Sequence, residues 1–452
     1  MTMRQLLPLL LAPWLFSAAL ANPYETTLDN GLRVIVKEDR RAPTAVHMVW
    51  YRVGSMDEVD GTSGVAHLLE HMMFKGTPTV GPGEFNKRVA AAGGRDNAFT
   101  SRDYTAYFQQ IPKEKLDEMM GLEADRMRHL NVDPKEFEQE IKVVMEERRM
   151  RTDDNPQAKL FEQMNAVAFQ AHPYRRPIIG WMSDLENMTA ADARAWYDTW
   201  YVPNNAYVVV SGDVDHQEVF ALARKHYGGL AGRALPMRKA QIEPRQEGPR
   251  KLTVKAPAEL PLLVMGYKAP ILRNPATDRE PYALEILAGI LDGHDAARFN
   301  RKLVREDKLA VSAGVSYDNT ARGPGMIYLY ASPSEGNSIG ELEFALRTEI
   351  ARIKQEGVSA AELKRTKAQL VANQVYKLDS VFGQAMEIGQ MEAVGLSWRD
   401  VEVMIDRLQQ VTAEEVQAVA QKYFDDDALT VGILDPQPLD SQPRRQRLPT
   451  RH

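Results

Sequence analysis

Cysteine is absent from all 452 residues. Disulfides, a cysteine nucleophile and a cysteine-bound metal are therefore excluded, and any metal must rest on histidine and carboxylate side chains. A dominant charge of one sign is also missing. The 56 basic and 62 acidic residues leave a formal charge of −6, too balanced and slightly too acidic for a nucleic-acid binder. The apolar run Leu6 to Phe16 falls short of the roughly 20 residues that a membrane-spanning helix needs. What remains is ordinary for a soluble globular chain, with 44% hydrophobic and 26% charged residues, which excludes collagen-like, disordered and multi-spanning classes. The length predicts two to four domains at roughly 100–200 residues each.

Residues 1–21 read as a secretory signal peptide. Arg4 is their only charge, the apolar run follows, and Ala19-Leu20-Ala21 supplies a small-x-small cleavage site before Asn22. An uncleaved membrane anchor is the alternative. Cleavage leaves 431 residues (452 − 21) of formal charge −7 (−6 − 1). The mature chain is then expected to be exported, most simply to a periplasm, with no stable membrane span. A cysteine-free exported chain avoids oxidative mispairing.

The mature chain divides by pattern. Asn30-Gly31 opens a β-branched run from Leu32 to Val36, and a second apolar run covers Val46 to Val53. Gly64 to Phe74 and Lys113 to Leu130 have helical spacing, and Asn97 to Gln109 reads as a strand. Asp133-Pro134-Lys135-Glu136 is a helix start, with Asp as N-cap and Pro at the first position, and the helix should end near Arg151. Thr189 begins a helix followed by the strand Ala206 to Ser211, and Thr412 begins another followed by Ala428 to Leu434. The offset is 223 residues (412 − 189), about half the mature chain, so two related halves are expected unless the two units match by chance. The reading is an N-terminal half over 22–228, a linker over 229–250, a C-terminal half over 251–435 and a poorly ordered tail over 436–452.

One constellation carries chemistry: His67-Leu68-Leu69-Glu70-His71. On a helix His67 and His71 share a face, so both imidazoles can reach one ion, while Glu70 borders that face. A carboxylate there can take a proton from a metal-activated water and return it to a leaving amine. Two histidines leave a metal short of protein ligands. In the helix from Pro134, Phe137, Ile141, Val144 and Met145 form the buried stripe, with Glu140 and Glu147 stacked on one flank and Glu146 opposite. Paired carboxylates on a buried flank need a compensating charge, which makes Glu147 a candidate ligand and Glu146 a poor one; a merely charged helix edge is the plainer alternative. The other seven histidines show no ligand spacing.

His67-x-x-Glu70-His71 has the inverted zincin order, and Gly64 through Thr77, Gly94 through Thr100 and Glu140 through Arg149 together resemble the pitrilysin/insulinase metallopeptidase family over essentially the whole mature chain. The short members, including mitochondrial processing peptidase subunits and bacterial periplasmic zinc proteases, are the nearest in pattern. The resemblance implies an α+β fold of two homologous α/β halves, each a mostly antiparallel sheet packed with helices. It implies one Zn2+ per chain held by His67, His71 and Glu147, with Glu70 as catalytic base and Glu140 supporting the ligands. It places extended peptide substrates along Asn97, Ala98, Phe99 and Thr100, added as a further strand. Active relatives often carry an Arg and, seven residues on, a Tyr in the second half; Val304 and Val311 occupy those places here, with Arg305 and Tyr317 nearby.

The leading expectation is thus a zinc endopeptidase or oligopeptidase, paired with a homologous subunit that lacks the zinc motif and supplies Arg and Tyr. The other readings are a catalytically silent assembly subunit and a maturation factor of narrow specificity.

Overall fold

The computed structural model describes residues 23–439, so the expected signal segment lies outside the described residues. The first half contributes strands β1 (Tyr24–Thr27), β2 (Arg33–Glu38), β3 (Thr44–Tyr51), β4 (Arg95–Thr100), β5 (Thr105–Pro112) and β6 (Ala206–Gly212). Its helices are α1 (Val65–Met72), α2 (Glu84–Ala91), α3 (Leu116–His129), α4 (Pro134–Arg148), α5 (Pro156–Ala168), α6 (Met182–Asn187), α7 (Ala190–Trp200) and α8 (His216–Tyr227). The second half has strands β7 (Arg250–Pro257), β8 (Leu262–Ala269), β9 (Ala310–Tyr317), β10 (Gly325–Pro333) and β11 (Leu429–Gln437). Its helices are α9 (Glu280–Asp292), α10 (Ile339–Glu356), α11 (Ala360–Lys377), α12 (Val381–Ala393), α13 (Asp400–Gln410) and α14 (Ala413–Tyr423).

The two sheets share one layout. Their strand orders are β1-β2-β6-β3-β5-β4 and β7-β11-β8-β10-β9. With β1 set aside, each begins with a parallel pair, β2/β6 or β7/β11, and continues antiparallel to the edge strand, β4 or β9. The sequence repeat falls on α7–β6 and α14–β11. Both helices open with a full capping box, Thr189 with Asp192 and Thr412 with Glu415, which satisfies backbone N–H groups that a helix start leaves free.

Each sheet is covered on both faces, and the two coverings differ in origin. The first half's own helices pack on one face, where Val34, Val36, Val49, Val208 and Val210 meet Leu68, Leu69, Met119 and Phe220. The opposite face, with Ile35, Met48, Trp50, Tyr207 and Val209, is closed by Ala385 and Ile388 of α12. Gly389 is required there, because a Cβ would lie 2.1 Å from the Trp50 ring. Reciprocally, Leu160 and Met164 of α5 pack against Val254, Val264 and Leu434 of the second sheet. At about 1.5–3 kcal/mol for each large apolar side chain buried, this exchange of helices is a major bond between the halves.

Three sequence expectations are corrected. The unbroken strand over Asn97 to Gln109 is a hairpin: Ser101 Oγ accepts the N–H groups of Asp103 and Tyr104, and the Ser101 N–H reaches the Tyr104 carbonyl, so the chain reverses between β4 and β5. Pro436 and Gln437, assigned to the tail, extend β11 beside Ala256 and Pro257; strand pairing through the backbone does not require apolar side chains. The linker assigned to 229–250 gives way to β7 at Arg250 and is pinned where Glu243 accepts the N–H groups of Gln170, Ala171 and His172. Among the described residues no helix is long and apolar enough to cross a membrane.

Candidate metal centre

The helix that carries the histidines is anchored at its start. Gly64 is its N-cap with φ of 91°, and a Cβ there would lie 2.5 Å from the Ile179 carbonyl, so both the left-handed backbone and the close approach demand glycine. Gly64 has no side chain to cap the helix. Buried Glu58 does so instead, its two carboxylate oxygens accepting the N–H groups of Gly64 and Ala66 at 2.9 Å each. Burial pushes the Glu58 carboxyl up to about 8, against these two N–H bonds and the aligned peptide dipoles, which favour its ionised form.

From that helix and α4, three side chains converge. Ligand-capable atoms of His67, His71 and Glu147 all lie within 4.8 Å of one another. Glu147 Oε2 is 3.3 Å from His71 Nε2 and 3.8 Å from His67 Nε2. The helix-face argument matches the exposure of the acids: the side chains of Glu140 and Glu147 are 9% and 13% exposed, and that of Glu146 is 60% exposed and paired with Arg149. Asp133 starts α4 as its N-cap, accepting the N–H groups of Lys135 and Glu136.

Glu140 stands behind His71, its Oε1 2.8 Å from Nδ1. This bond places a proton on Nδ1 and turns Nε2 toward Glu147, the usual way a carboxylate orients a metal-binding imidazole. Lys75 pairs with the other oxygen of Glu140. Arg151 holds the far oxygen of Glu147 at 2.7 Å.

The charges fit a cation. Burial first, and then the neighbouring His71, push His67 down to about 4, and its Nδ1 is buried without a partner. Burial also opposes charge on His71, yet the Glu140 and Glu147 carboxylates outweigh it and hold that ring at about 9. One positive charge is thus favoured between the rings and a second is not. Two imidazoles and one carboxylate are the protein donor set of a catalytic zinc site.

Glu70 lies beside this set on α1 and is not among the converging ligand atoms. Burial pushes its pKa up, against a hydrogen bond in which Thr100 Oγ1 donates to Glu70 Oε2 at 2.5 Å. Thr100 ends β4, the edge strand of the first sheet. Along β4 the residues alternate: Ala98 packs into the helix-side core, whereas Phe99 meets Trp50 and Tyr104 edge-on and Phe108 at a tilt on the α12 side. The Ala98 N–H is taken by Asn97 Oδ1 at 2.9 Å.

Sequence reasoning missed Glu58, Lys75, Arg151 and the bond from Thr100 to Glu70. Arg151 follows Glu147 by four residues, the spacing of a helical ion pair, and was in principle visible. Glu58 reaches the helix through a loop and leaves no periodic signal. In the second half Val304 is half-buried and Val311 is exposed. Neither nearby alternative is free: Arg305 donates to the Asp295 carbonyl and the Tyr317 hydroxyl donates to the Pro270 carbonyl at 2.6 Å.

Comparison with known proteins agrees with this geometry. Residues 33–181 match the profile "Insulinase (Peptidase family M16)", and residues 187–370 match "Peptidase M16 inactive domain". The chain is 32% identical over 418 residues to the zinc protease PqqE of Helicobacter pylori, covering 91% of this chain and 92% of that one. A crystal structure of a protease from Helicobacter pylori superimposes with a TM-score of 0.87 at 30% identity, covering 92% of this chain and all (100%) of the other. The periplasmic protease PqqL of Escherichia coli shares the fold, with a TM-score of 0.79 at 20% identity, over 92% of this chain and 48% of its own.

Proposed function

This chain belongs to the insulinase family, peptidase family M16, and from that premise we propose that it is a zinc endopeptidase or oligopeptidase acting on extended, unfolded peptides. The observation that carries this reading is the convergence of His67, His71 and Glu147 beside Glu70 and the edge strand β4. His67, His71 and Glu147 would hold the zinc, which would supply Lewis acidity to water and to a peptide carbonyl. Glu70 takes the proton of the attacking water as oxygen bonds to the peptide carbonyl carbon. It then delivers that proton to the nitrogen as the carbon–nitrogen bond breaks. Thr100 holds the carboxylate in place, and Glu140 holds His71.

Metal analysis tests the ligand set. Glu147→Gln is expected to lose most of its zinc and its hydrolysis of a generic unfolded peptide, while Glu146→Gln keeps both. Equal zinc in the two variants, or loss only in Glu146→Gln, would refute the assignment. Zinc without turnover in the wild-type chain would favour a silent subunit, and turnover of one precursor alone would favour a maturation factor.

Substrate is expected to add to β4 as a seventh strand beside the six of the first sheet, paired with the backbone of Asn97, Ala98, Phe99 and Thr100. To bind, it must displace Asn97 Oδ1 from the Ala98 N–H. Methylating one amide nitrogen of a good substrate, where it faces β4, should raise KM by about three- to tenfold, the worth of one hydrogen bond. Unchanged KM across a full scan of methylated positions would exclude strand addition.

Two finer proposals concern context. The chain is exported after cleavage before Asn22, in keeping with its N-terminal pattern and the periplasmic protease of related fold; intact-mass analysis of the secreted protein should begin at Asn22, and an unprocessed cytosolic chain would contradict export. The chain works with a homologous subunit that contributes Arg and Tyr, because Val304 and Val311 have no hydrogen-bond donors in their side chains.

A further inference from the structure

A cleft of about 520 Å³ lies at the junction of the two halves, walled by Arg33, Arg52, Arg238, Arg322 and the segment from Glu392 to Asp400. Arg33 starts β2, Arg52 follows β3, Arg238 lies between the halves, Arg322 precedes β10, and 392–400 joins α12 to α13. Both halves therefore line it. Four guanidinium groups line it together with Glu392 and Asp400, and Glu25 and Asp57 reach three of the same arginines.

Their pairing is uneven. Arg33 is matched by Glu392 at 2.6 Å and Glu25 at 3.2 Å. Arg238 and Arg322 share the carboxylate of Asp57, at 2.8 Å each; Arg322 also donates to the Asp103 carbonyl and Arg238 to the Arg52 carbonyl, with the Trp200 ring centroid 4.7 Å from the Arg238 guanidinium. Asp103 is occupied by the Tyr174 hydroxyl and the Arg322 N–H, and Asp400 by the Ser397 N–H. Arg52 has only the face of Tyr207, 5.0 Å from its guanidinium to the ring centroid, with no carboxylate among the described residues. Burial, with Arg322 and Arg52 alongside, holds Arg238 below its usual range, as expected where cations crowd.

We propose that this cleft binds a multivalent oxyanion of the phosphate class, held by Arg52 together with Arg238 and Arg322, and that the anion fastens the two halves to each other. Planar guanidinium forks suit tetrahedral oxyanions, which accept charge-assisted hydrogen bonds from several directions at once. An oxyanion gives Arg52 the acceptor it lacks and relieves the sharing of Asp57. None of these arginines belongs to the metal centre, so the inference does not depend on the peptidase reading.

The test is thermal melting and calorimetry of the zinc-loaded mature chain with inorganic phosphate and with pyrophosphate, against sodium chloride at equal ionic strength. Both anions should raise Tm above the chloride control, since a ligand that binds only the folded state stabilises it. In Arg52→Gln the rise should shrink as the affinity weakens by about tenfold or more, while Arg52→Lys keeps part of both. Arg238→Gln, on the segment between the halves, should weaken binding in the same sense and serves if Arg52→Gln does not fold. No rise above chloride overturns the proposal. So does an equal rise in wild type and the glutamine variants, which would put the anion at the metal centre.

Discussion

Replacing Glu70 by glutamine should lower peptide hydrolysis by about 10²–10⁴-fold, the usual contribution of a positioned proton-transfer group. Zinc content and Tm should stay at wild-type values. The separation follows from the geometry. Glutamine keeps an oxygen able to accept the Thr100 hydroxyl, so the side chain stays in place. Glu70 is not one of the atoms converging on the metal, so the ligand set is intact. What glutamine cannot do is take a proton and give it back. Preserved turnover would move the base elsewhere, and loss of zinc would make Glu70 a ligand.

The purified chain alone should be a weak peptidase, and a homologous subunit without the zinc motif should raise its turnover about a hundredfold or more. Negative charge develops on the carbonyl oxygen during attack, and losing one preorganised donor to such an oxygen typically costs about 10²–10³ in rate. At the places where the family resemblance implies Arg and Tyr, this chain has Val304 and Val311. The two nearby substitutes are committed elsewhere, Arg305 to the Asp295 carbonyl and Tyr317 to the Pro270 carbonyl. Mutating the Arg or the Tyr of the added subunit should remove the gain. Full activity of the isolated chain as monomer or homodimer would defeat the idea, and Arg305 and Tyr317 would be the next residues to replace.

Helix periodicity made much of the candidate centre legible. His67 and His71 declare themselves by spacing, and the angular position of each acid around α4 is enough to separate Glu147 from Glu146. The repeat at Thr189 and Thr412 pointed to two halves, and the sheets repeat their strand order accordingly. The supporting contacts were not legible, because Glu58 and Thr100 meet α1 across loops and a hairpin, where no period links partner to partner. Nor could pattern reveal which sheet α5 and α12 cover. An apolar stripe says that a helix face is buried, not against what.

The exchange of those two helices has a consequence for biosynthesis. A chain made from its N-terminus completes the first sheet when β6 emerges, at Gly212. The face bearing Trp50 and Tyr207 then has to wait for α12, at Val381–Ala393. Until nearly the whole polypeptide has left the ribosome, the first half carries an open apolar surface and cannot mature as an independent unit. Holdase chaperones should find that surface throughout elongation, and an export route that accepts unfolded chains would meet this protein in a suitable state. Closing of the sheet is thus coupled to near-completion of the chain, because it waits for α12.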